Sequence, residues 1–571
     1  MANGKREPLP VVQEEDLAAP MRDGVLLRAD ACRPDAPGRF PTLLCRTPYN
    51  KGRNLATAQK LAERGYLVVV QDVRGRYASD GEFRPGFFSA DHSDAEDGYD
   101  AVEWAAQLPW STGKVGTFGG SYEGWTQWAM AHTRPPHLIA MIPSAIAASL
   151  LDRELSGVLR LGRVLDWTIN NLSVDTARRL GDPYKPRTQD EARRLWVERD
   201  RLKWLWYLPL MDIPEEAMPG MGRHWRRWLE DHATDSFRFL ERHREVNVPV
   251  LSITGWYDQQ IGNIQHFTGM GKNGMTEHAR RNQRLIIGPW THTLTDLGSR
   301  VGDVDFGPEA CRDYFEIADR WYSCWLKDEG PGLEDWPPVQ VFVMGANRWR
   351  AENEWPLTGT VYADFYLHSR GHASTLAGDG LLTRQPPQQE PPDDYLYDPR
   401  DPVMTLYTPA GQHAPLDQRA LDGRRDVLVY ATPPLEQPLE VIGPVTVKLW
   451  AASSARDTDF VVKLLDVWPD GFAQELCHGI VRARYRESFD RPSSIEPGRP
   501  YEYTIQVNPT GNLFRPGHRI RLDVSSSDFP NFDRNHNTGG DDYRESALQT
   551  ARQTIFHDVA RPSRLILPVI L

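Results

Sequence analysis

The chain has 571 residues, 40% hydrophobic and 25% charged, with 45 Gly and 45 Pro; at about 100–200 residues per domain this is material for three or four units, and the balance excludes a disordered or collagen-like chain. Lys and Arg number 66 against 78 Asp and Glu, a net charge of −12 with no basic block able to track phosphates, so nucleic acid is not an expected partner. The longest mostly apolar stretch, 138–151, is broken by Pro143, Ser144 and Ser149 and falls short of the ~20 residues a membrane helix needs, so no membrane association is expected.

The N-terminal segment has two basic residues but no apolar run behind them, so no secretory signal is read there and a cytoplasmic product is expected. Cys32, Cys45, Cys311, Cys324 and Cys477 are widely spaced without a C-x-x-C pair, which argues against a disulfide framework or a zinc ribbon. Further on, short β-branched runs at 42–46, 67–72, 115–119 and 138–144 are bounded by Gly or Pro, as for strands buried on both faces. Between them a helix is predicted over 94–108, with Ala95, Tyr99, Val102 and Ala106 on one face. The run 25–32 follows an Asp23-Gly24 turn signal and predicts antiparallel strands at one edge. This alternation is that of an α/β domain with a parallel sheet.

From about 150 to 245 the pattern turns helical and rich in Arg, Glu and Trp, as in RRLWVERDRLKWLWYL (193–208). Strand runs return at 250–255, 285–288 and 339–344, with a helix predicted over 310–326. An α/β domain over 1–145 and 246–352, interrupted by a helical insertion at 146–245, accounts for this order. After about Trp355 short alternating runs (445–450, 459–467, 519–526) are separated by turn residues, which predicts a β sandwich or jelly roll over 353–571. Within it, the Pro- and Gln-rich stretch 385–394 is expected to be an exposed loop.

The segment VGTFGGSYEG (115–124) runs a predicted strand into Gly119, Ser121, Tyr122 and Gly124, a G-x-S-Y-x-G pattern whose closing glycine falls one place later than in G-x-S-x-G. Small neighbours permit the strained turn a nucleophilic serine needs, and the following amide is aimed at a developing oxyanion. WTQWAMAH (125–132) is helical enough to put Ser121 at a helix N-terminus. A serine needs a base and the base an orienting acid. The run 250–255 leads into Asp258 and 285–288 into His292, giving the order Ser121, Asp258, His292 that an α/β hydrolase requires.

With these residues in register, the chain resembles the cocaine esterase family, relatives of the X-Pro dipeptidyl-peptidases and the α-amino-acid ester hydrolases. The resemblance covers essentially the whole chain. It is carried by MRDGVLL (21–27), TPYNK (47–51), QDVRGRYASDGEF (71–83), GGSYEG (119–124), GWYD (255–258), GPWTH (288–292), LFRPGHRI (513–520) and SSSDFPNFDRNHNTGG (525–540). It implies an α/β-hydrolase domain with an inserted helical cap and a C-terminal β jelly roll. The activity it implies is that of a serine esterase: Ser121 as nucleophile, His292 as general base and then acid, and Asp258 holding the imidazole. Tyr49 and the Tyr122 amide would form the oxyanion hole, with Trp167, Gln259, Leu406 and Tyr407 in the substrate pocket. Where the related α-amino-acid ester hydrolases carry acids for the substrate's amine, just after the triad aspartate, this chain has Gln259 and Gln260; Asp152 and Glu154 are other acids near the start of the cap.

The expected function is cleavage of small-molecule carboxylic esters through an acyl-enzyme, with no metal or organic cofactor and with a homodimer as a possible assembly. Rival readings are an acyl amidase or Xaa-Pro dipeptidyl-peptidase, and a catalytically silent carbohydrate-binding protein. Asp91, His92, Asp94, Glu96 and Asp97 resemble a metal cluster but are expected to be an acid-rich helix start. His536, in DRNHNTGG, is expected at a polar loop tip.

Overall fold

The computed structural model describes residues 7–86, 92–148, 158–183, 185–230, 239–258, 262–293, 295–327, 332–408, 411–489 and 491–571. The first domain is built on a ten-stranded sheet: β1 (Val11–Pro20), β2 (Leu26–Pro34), β3 (Phe40–Thr47), β4 (Leu67–Asp72), β5 (Ser111–Gly120), β6 (Leu138–Ser144), β7 (Val250–Gly255), β8 (Gln283–Gly288), β9 (Val339–Val343) and β10 (Arg348–Glu352), in the spatial order β1-β2-β4-β3-β5-β6-β7-β8-β9-β10. From β4 to β9 neighbouring strands are parallel, while β1, β2 and β10 are antiparallel additions at the edges. Parallel strands need crossovers, and these put helices on both faces: α1 (Leu55–Ala62), α2 (Asp94–Ala106) and α3 (Tyr122–Ala131) in the first half.

Alternation along each strand divides the core in two. Leu43, Val68, Val70, Phe118, Ile142, Ile253 and Ile286 face the layer of Tyr66, Trp321 and Tyr322. Their neighbours Leu44, Val69, Val115, Met141 and Val250 face Trp125 and Trp128 of α3 and the buried Trp225 of the insertion. That insertion contains α4 (Leu161–Trp167), a π turn at Thr168–Leu172, α5 (Ser173–Arg179) and α6 (Gly222–Glu230). The chain re-enters the first domain at β7, after which α7 (Gly262–Asn273) and α8 (Tyr314–Leu326) complete the layers. The helix expected over 310–326 begins later because Asp313 caps it, its carboxylate accepting from Phe315 N at 2.8 Å, and Pro308–Ala310 forms a separate turn.

The C-terminal domain is a twelve-stranded antiparallel-rich sheet whose long members are β11 (Thr360–His368), β12 (Leu381–Thr383), β13 (Asp393–Tyr397), β14 (Leu428–Ala431), β15 (Leu439–Ser453), β16 (Asp459–Val467), β17 (Ala473–Arg482), β18 (Tyr501–Phe514), β19 (Arg519–Ser525), β20 (Ala551–Asp558) and β21 (Arg564–Ile570). β15 pairs with both β18 and β21, so the sheet closes on itself like a barrel. The stretch expected to be a loop over 385–394 ends in a strand instead. Asp393 starts β13 because its buried carboxylate is fully satisfied, accepting from Ser369 Oγ (2.7 Å), Ala373 N (2.8 Å), Tyr430 Oη (2.8 Å) and His557 Nε2 (2.9 Å). The two domains share one core: Trp256, Leu285, Ile287 and Phe342 pack in the same cluster as Val441, Ile442 and Val507. Among the described residues no helix is long and apolar enough to cross a membrane.

Candidate active site

Ser121 occupies the single residue between β5 and α3, with φ 56° and ψ −126°. A positive φ is costly for a residue with a side chain, and here surrounding contacts enforce it. Ser121 N donates to Ser144 O at 3.0 Å and Trp125 N donates to Ser121 O at 2.9 Å. The flanking glycines sit where the chain is crowded, Gly119 more severely than Gly124. A Cβ on Gly119 (φ +126°) would lie 2.6 Å from Glu123 Cβ, and one on Gly124 would lie 3.1 Å from Ser144 O. The late closing glycine of G-x-S-Y-x-G is therefore where α3 packs against the end of β6.

Asp258 and His292 follow β7 and β8, adjacent parallel strands. Their loops are locked in register: Trp256 N donates to Gly288 O (2.9 Å) and Tyr257 N to Trp290 O (3.0 Å). A Cβ on Gly255 would stand 2.1 Å from Trp290 O, so only glycine allows this approach. His292 Nδ1 donates to Asp258 Oδ1 at 2.5 Å, and Thr254 Oγ1 donates to Asp258 Oδ2 at 3.1 Å. The Asp258 side chain is fully buried while that of His292 is 30% exposed, so the pair has a dry acid and an accessible base. A charge-assisted hydrogen bond of this length fixes the imidazole tautomer that leaves Nε2 as acceptor.

Tyr49 follows β3 at the same end of the sheet. Its hydroxyl accepts from Trp167 Nε1 at 2.9 Å and lies beside the Ser121 side chain. Burial pushes the Tyr49 hydroxyl up to about 12, so it stays a proton donor at neutral pH. Its loop is braced from behind by Arg76, which is fully buried and donates from Nε to Pro48 O (2.9 Å), from Nη1 to Leu172 O (2.8 Å) and from Nη2 to Asn171 O (3.2 Å). The last two acceptors belong to the π turn of the cap, whose widened coil exposes carbonyls a regular helix would use internally. Glu123, raised above the usual carboxylate range by burial, accepts from Asn54 Nδ2 at 2.7 Å and so ties α3 to the same loop. Tyr122 is buried, with its ring 6.2 Å from that of Trp167 and its hydroxyl donating to Asp94 Oδ2 at 3.2 Å.

The structure thus gathers Ser121, Asp258, His292, Tyr49, Tyr122 and Trp167 at one end of the sheet. Leu406 and Tyr407 are half-buried on the β domain, and Arg201 of the insertion lies over the Tyr407 ring at 5.9 Å. Gln259, Gln260, Asp152, Glu154 and Asp91 lie outside the described residues. Thr254, Arg76, Glu123 and Arg163 were not singled out by motif spacing. Arg163, on α4, donates from Nη1 to Asp258 O at 3.3 Å, and its Nη2 lies 3.3 Å from His292 Nδ1.

Of the acid-rich helix start, Asp94 pairs with Arg46 (3.4 Å) and Asp97 with Arg74 (2.6 Å). His536 is not at an exposed tip: it is 1% exposed, its amide donating to Asp542 Oδ1 at 3.0 Å, because the polar loop folds inward onto a buried ion network around Arg482. Among the described residues two groups have metal-ligand spacing, His413/Glu475/His478 and His536/Asp542/Glu545. In the first, both imidazoles donate to the same Glu475 Oε1 (2.8 and 2.9 Å), and the cation of the cluster is Lys463, 2.9 Å from Asp528.

A parallel sheet carrying a strained serine, a buried aspartate and an accessible histidine at the ends of β5, β7 and β8 defines a serine hydrolase of the α/β-hydrolase class. Comparison with known proteins narrows this. Residues 23–294 match the model of the X-Pro dipeptidyl-peptidase (S15) family, and residues 331–566 that of the X-Pro dipeptidyl-peptidase C-terminal non-catalytic domain. The chain is 38% identical to a cocaine esterase of Rhodococcus sp. (strain MB1 Bresler), covering 97% of this chain and 98% of that one. Among solved structures, an aminopeptidase from a marine sediment Thaumarchaeota archaeon superposes with a TM-score of 0.78 at 26% identity, covering 99% of this chain and 97% of that one. An α-amino-acid ester hydrolase superposes with a TM-score of 0.77 at 25% identity, covering 100% and 98% of the two chains. The chain belongs to the S15 family of X-Pro dipeptidyl-peptidases, in the company of cocaine esterase.

Proposed function

We propose that this serine hydrolase cleaves carboxylic esters of small molecules through an acyl-enzyme in which Ser121 is the nucleophile. His292 Nε2 takes the serine proton as the hydroxyl attacks the carbonyl carbon, and Asp258 stabilises the imidazolium that forms. The oxyanion is met by the Tyr49 hydroxyl and the Tyr122 amide, donors whose positions are fixed before the substrate arrives. Collapse expels the alcohol, protonated by His292. Water then attacks the acyl-enzyme with His292 again as base, and the acid departs.

The observation that carries this reading is the 2.5 Å bond from His292 Nδ1 to Asp258 Oδ1, formed at the ends of adjacent strands in a chain whose serine stands at φ 56°. A second reading, removal of an N-terminal residue or dipeptide, is supported by the family's name and the aminopeptidase at TM-score 0.78. Fluorophosphonate labelling with mapping of the adduct tests the first step: label on Ser121 is expected, and label elsewhere overturns the assignment. Acetyl, butyryl, benzoyl and Xaa-Pro chromogenic substrates then separate the two readings. Faster turnover of the Xaa-Pro amides would select the peptidase. All five cysteines are unpaired, which supports a reducing, cytoplasmic setting.

A further inference from the structure

Arg163 stands one helical turn before Trp167 on α4, so the two side chains share a face. Trp167 reaches the Tyr49 hydroxyl on the oxyanion side, and Arg163 reaches Asp258 O and the His292 ring on the acid-base side. One cap helix therefore spans the catalytic centre. The contact of Arg163 with His292 is not a hydrogen bond, because Nδ1 already donates its proton to Asp258. It sets a cation against an imidazole that must itself become positive during turnover, so the one Asp258 carboxylate then faces two positive groups.

Arg163 is half-buried, and among the described residues no carboxylate forms an ion pair with it. The carboxylate of Asp258, whose carbonyl Arg163 touches, is hydrogen-bonded to His292 and Thr254. At the pocket tyrosines charges of both signs are felt: Glu123 and then Arg53 at Tyr49, and Asp528 and then Arg160 and Arg201 at Tyr407. A half-buried guanidinium with no ion-paired carboxylate among the described residues gains from a ligand that supplies an anion, and its planar fork matches a carboxylate.

We propose that the ester taken by this site carries a carboxylate, which pairs with Arg163. This rests on the ester-hydrolase reading and names its substrate class. The carboxylate belongs either to the acyl group, as in a half-ester of a dicarboxylic acid, or to the alcohol, and two matched pairs distinguish these. Mono-p-nitrophenyl glutarate is compared with p-nitrophenyl hexanoate, and 3-carboxyphenyl butyrate with 3-methylphenyl butyrate.

In at least one pair the acid should be preferred in kcat/KM by about tenfold at low ionic strength, shrinking as salt screens the pair. Arg163→Met should bring that ratio close to one and Arg163→Lys should retain part of it. Each ratio is taken within one variant, so a general loss of turnover does not affect it. Should Arg163→Met fail to fold, glutarate should still protect the wild-type serine from fluorophosphonate in a salt-sensitive way. Preference for the neutral ester in both pairs, a preference that survives Arg163→Met, or no protection by glutarate overturns the proposal. If Ser121 takes no label, the ester-hydrolase reading itself fails; if it is labelled and neutral esters win, only the carboxylate inference does.

Discussion

Trp167 Nε1 donates to the Tyr49 hydroxyl at 2.9 Å, joining the cap to the loop after β3. A phenol that accepts one hydrogen bond still has its own proton to give, and the indole fixes the direction in which it is given. In the proposed mechanism the cap therefore orients an oxyanion donor as well as covering the site.

Tyr49→Phe should then lower kcat by about 10²- to 10³-fold with a much smaller change in KM, since the donor matters mainly in the transition state. Trp167→Phe should lower kcat by roughly tenfold, because Tyr49 keeps its proton but loses its orientation. Steady-state kinetics on one chromogenic ester check both. A large rise in KM at constant kcat for Tyr49→Phe would make it a binding residue.

Ser121→Ala should abolish turnover and covalent labelling while leaving the far-UV spectrum and melting temperature close to wild type. His292→Ala should be nearly as inactive. The two side chains act as one unit, so the double variant should be little worse than either single one. More than a few per cent of activity in Ser121→Ala, measured with a freshly purified sample, would move the nucleophile elsewhere.

A separate site sets acid stability. His243 Nε2 and His266 Nδ1 are 2.9 Å apart beneath Trp128, whose ring stacks on His266 at 3.7 Å. Burial lowers His243 to about 4 and His266 well below its usual value of 6.5. A histidine held neutral in the fold binds its proton first in the unfolded chain. Its stabilising contribution is complete above pH 6.5 and is lost as pH falls toward 4 for His243, at about 1.4 kcal/mol per pH unit. Asp72 and Asp533, raised by burial to about 6, act with the opposite sign between 3.8 and 6, so total stability hides the effect. The difference between wild type and His243→Gln isolates it. Urea midpoints should fall less steeply with acidification in the variant; parallel curves would rule the pair out as a source of acid lability.

How far the sequence discloses this architecture depends on whether a feature is local. The strands at 67–72, 138–144 and 250–255 have the predicted bounds because they are buried on both faces, so apolar runs mark them from end to end. The helix Gly262–Asn273 escapes such a reading. GNIQHFTGMGKN carries three glycines and little helical propensity, and it is held by burying Ile264, His266 and Met270 against the sheet. The order Ser121, Asp258, His292 was legible because strand ends present each residue in a short motif. Thr254 and Glu123 sit inside those motifs and could be flagged only by position. Arg76 and Arg163 act across contacts between segments distant in sequence, which no local pattern encodes.

The same cation bears on which acyl groups are refused. In the α-amino-acid ester hydrolases that the chain resembles, acids just after the triad aspartate balance the substrate's ammonium, and here those positions are Gln259 and Gln260. An amide oxygen can accept from an ammonium but cannot neutralise it, and Arg163 at the Asp258 carbonyl adds like-charge repulsion. Two unit charges 4 Å apart interact by about 4 kcal/mol at the effective dielectric of a protein surface, before screening. Phenylacetic acid methyl ester should therefore exceed phenylglycine methyl ester in kcat/KM by about tenfold or more when the amine is protonated. The inductive pull of the ammonium makes the amino ester intrinsically the more reactive of the two, so electrostatic exclusion has to overcome that advantage. Raising the pH through the amine's own titration should narrow the gap. Preference for the protonated amino ester would sink the idea and favour the peptidase-like reading.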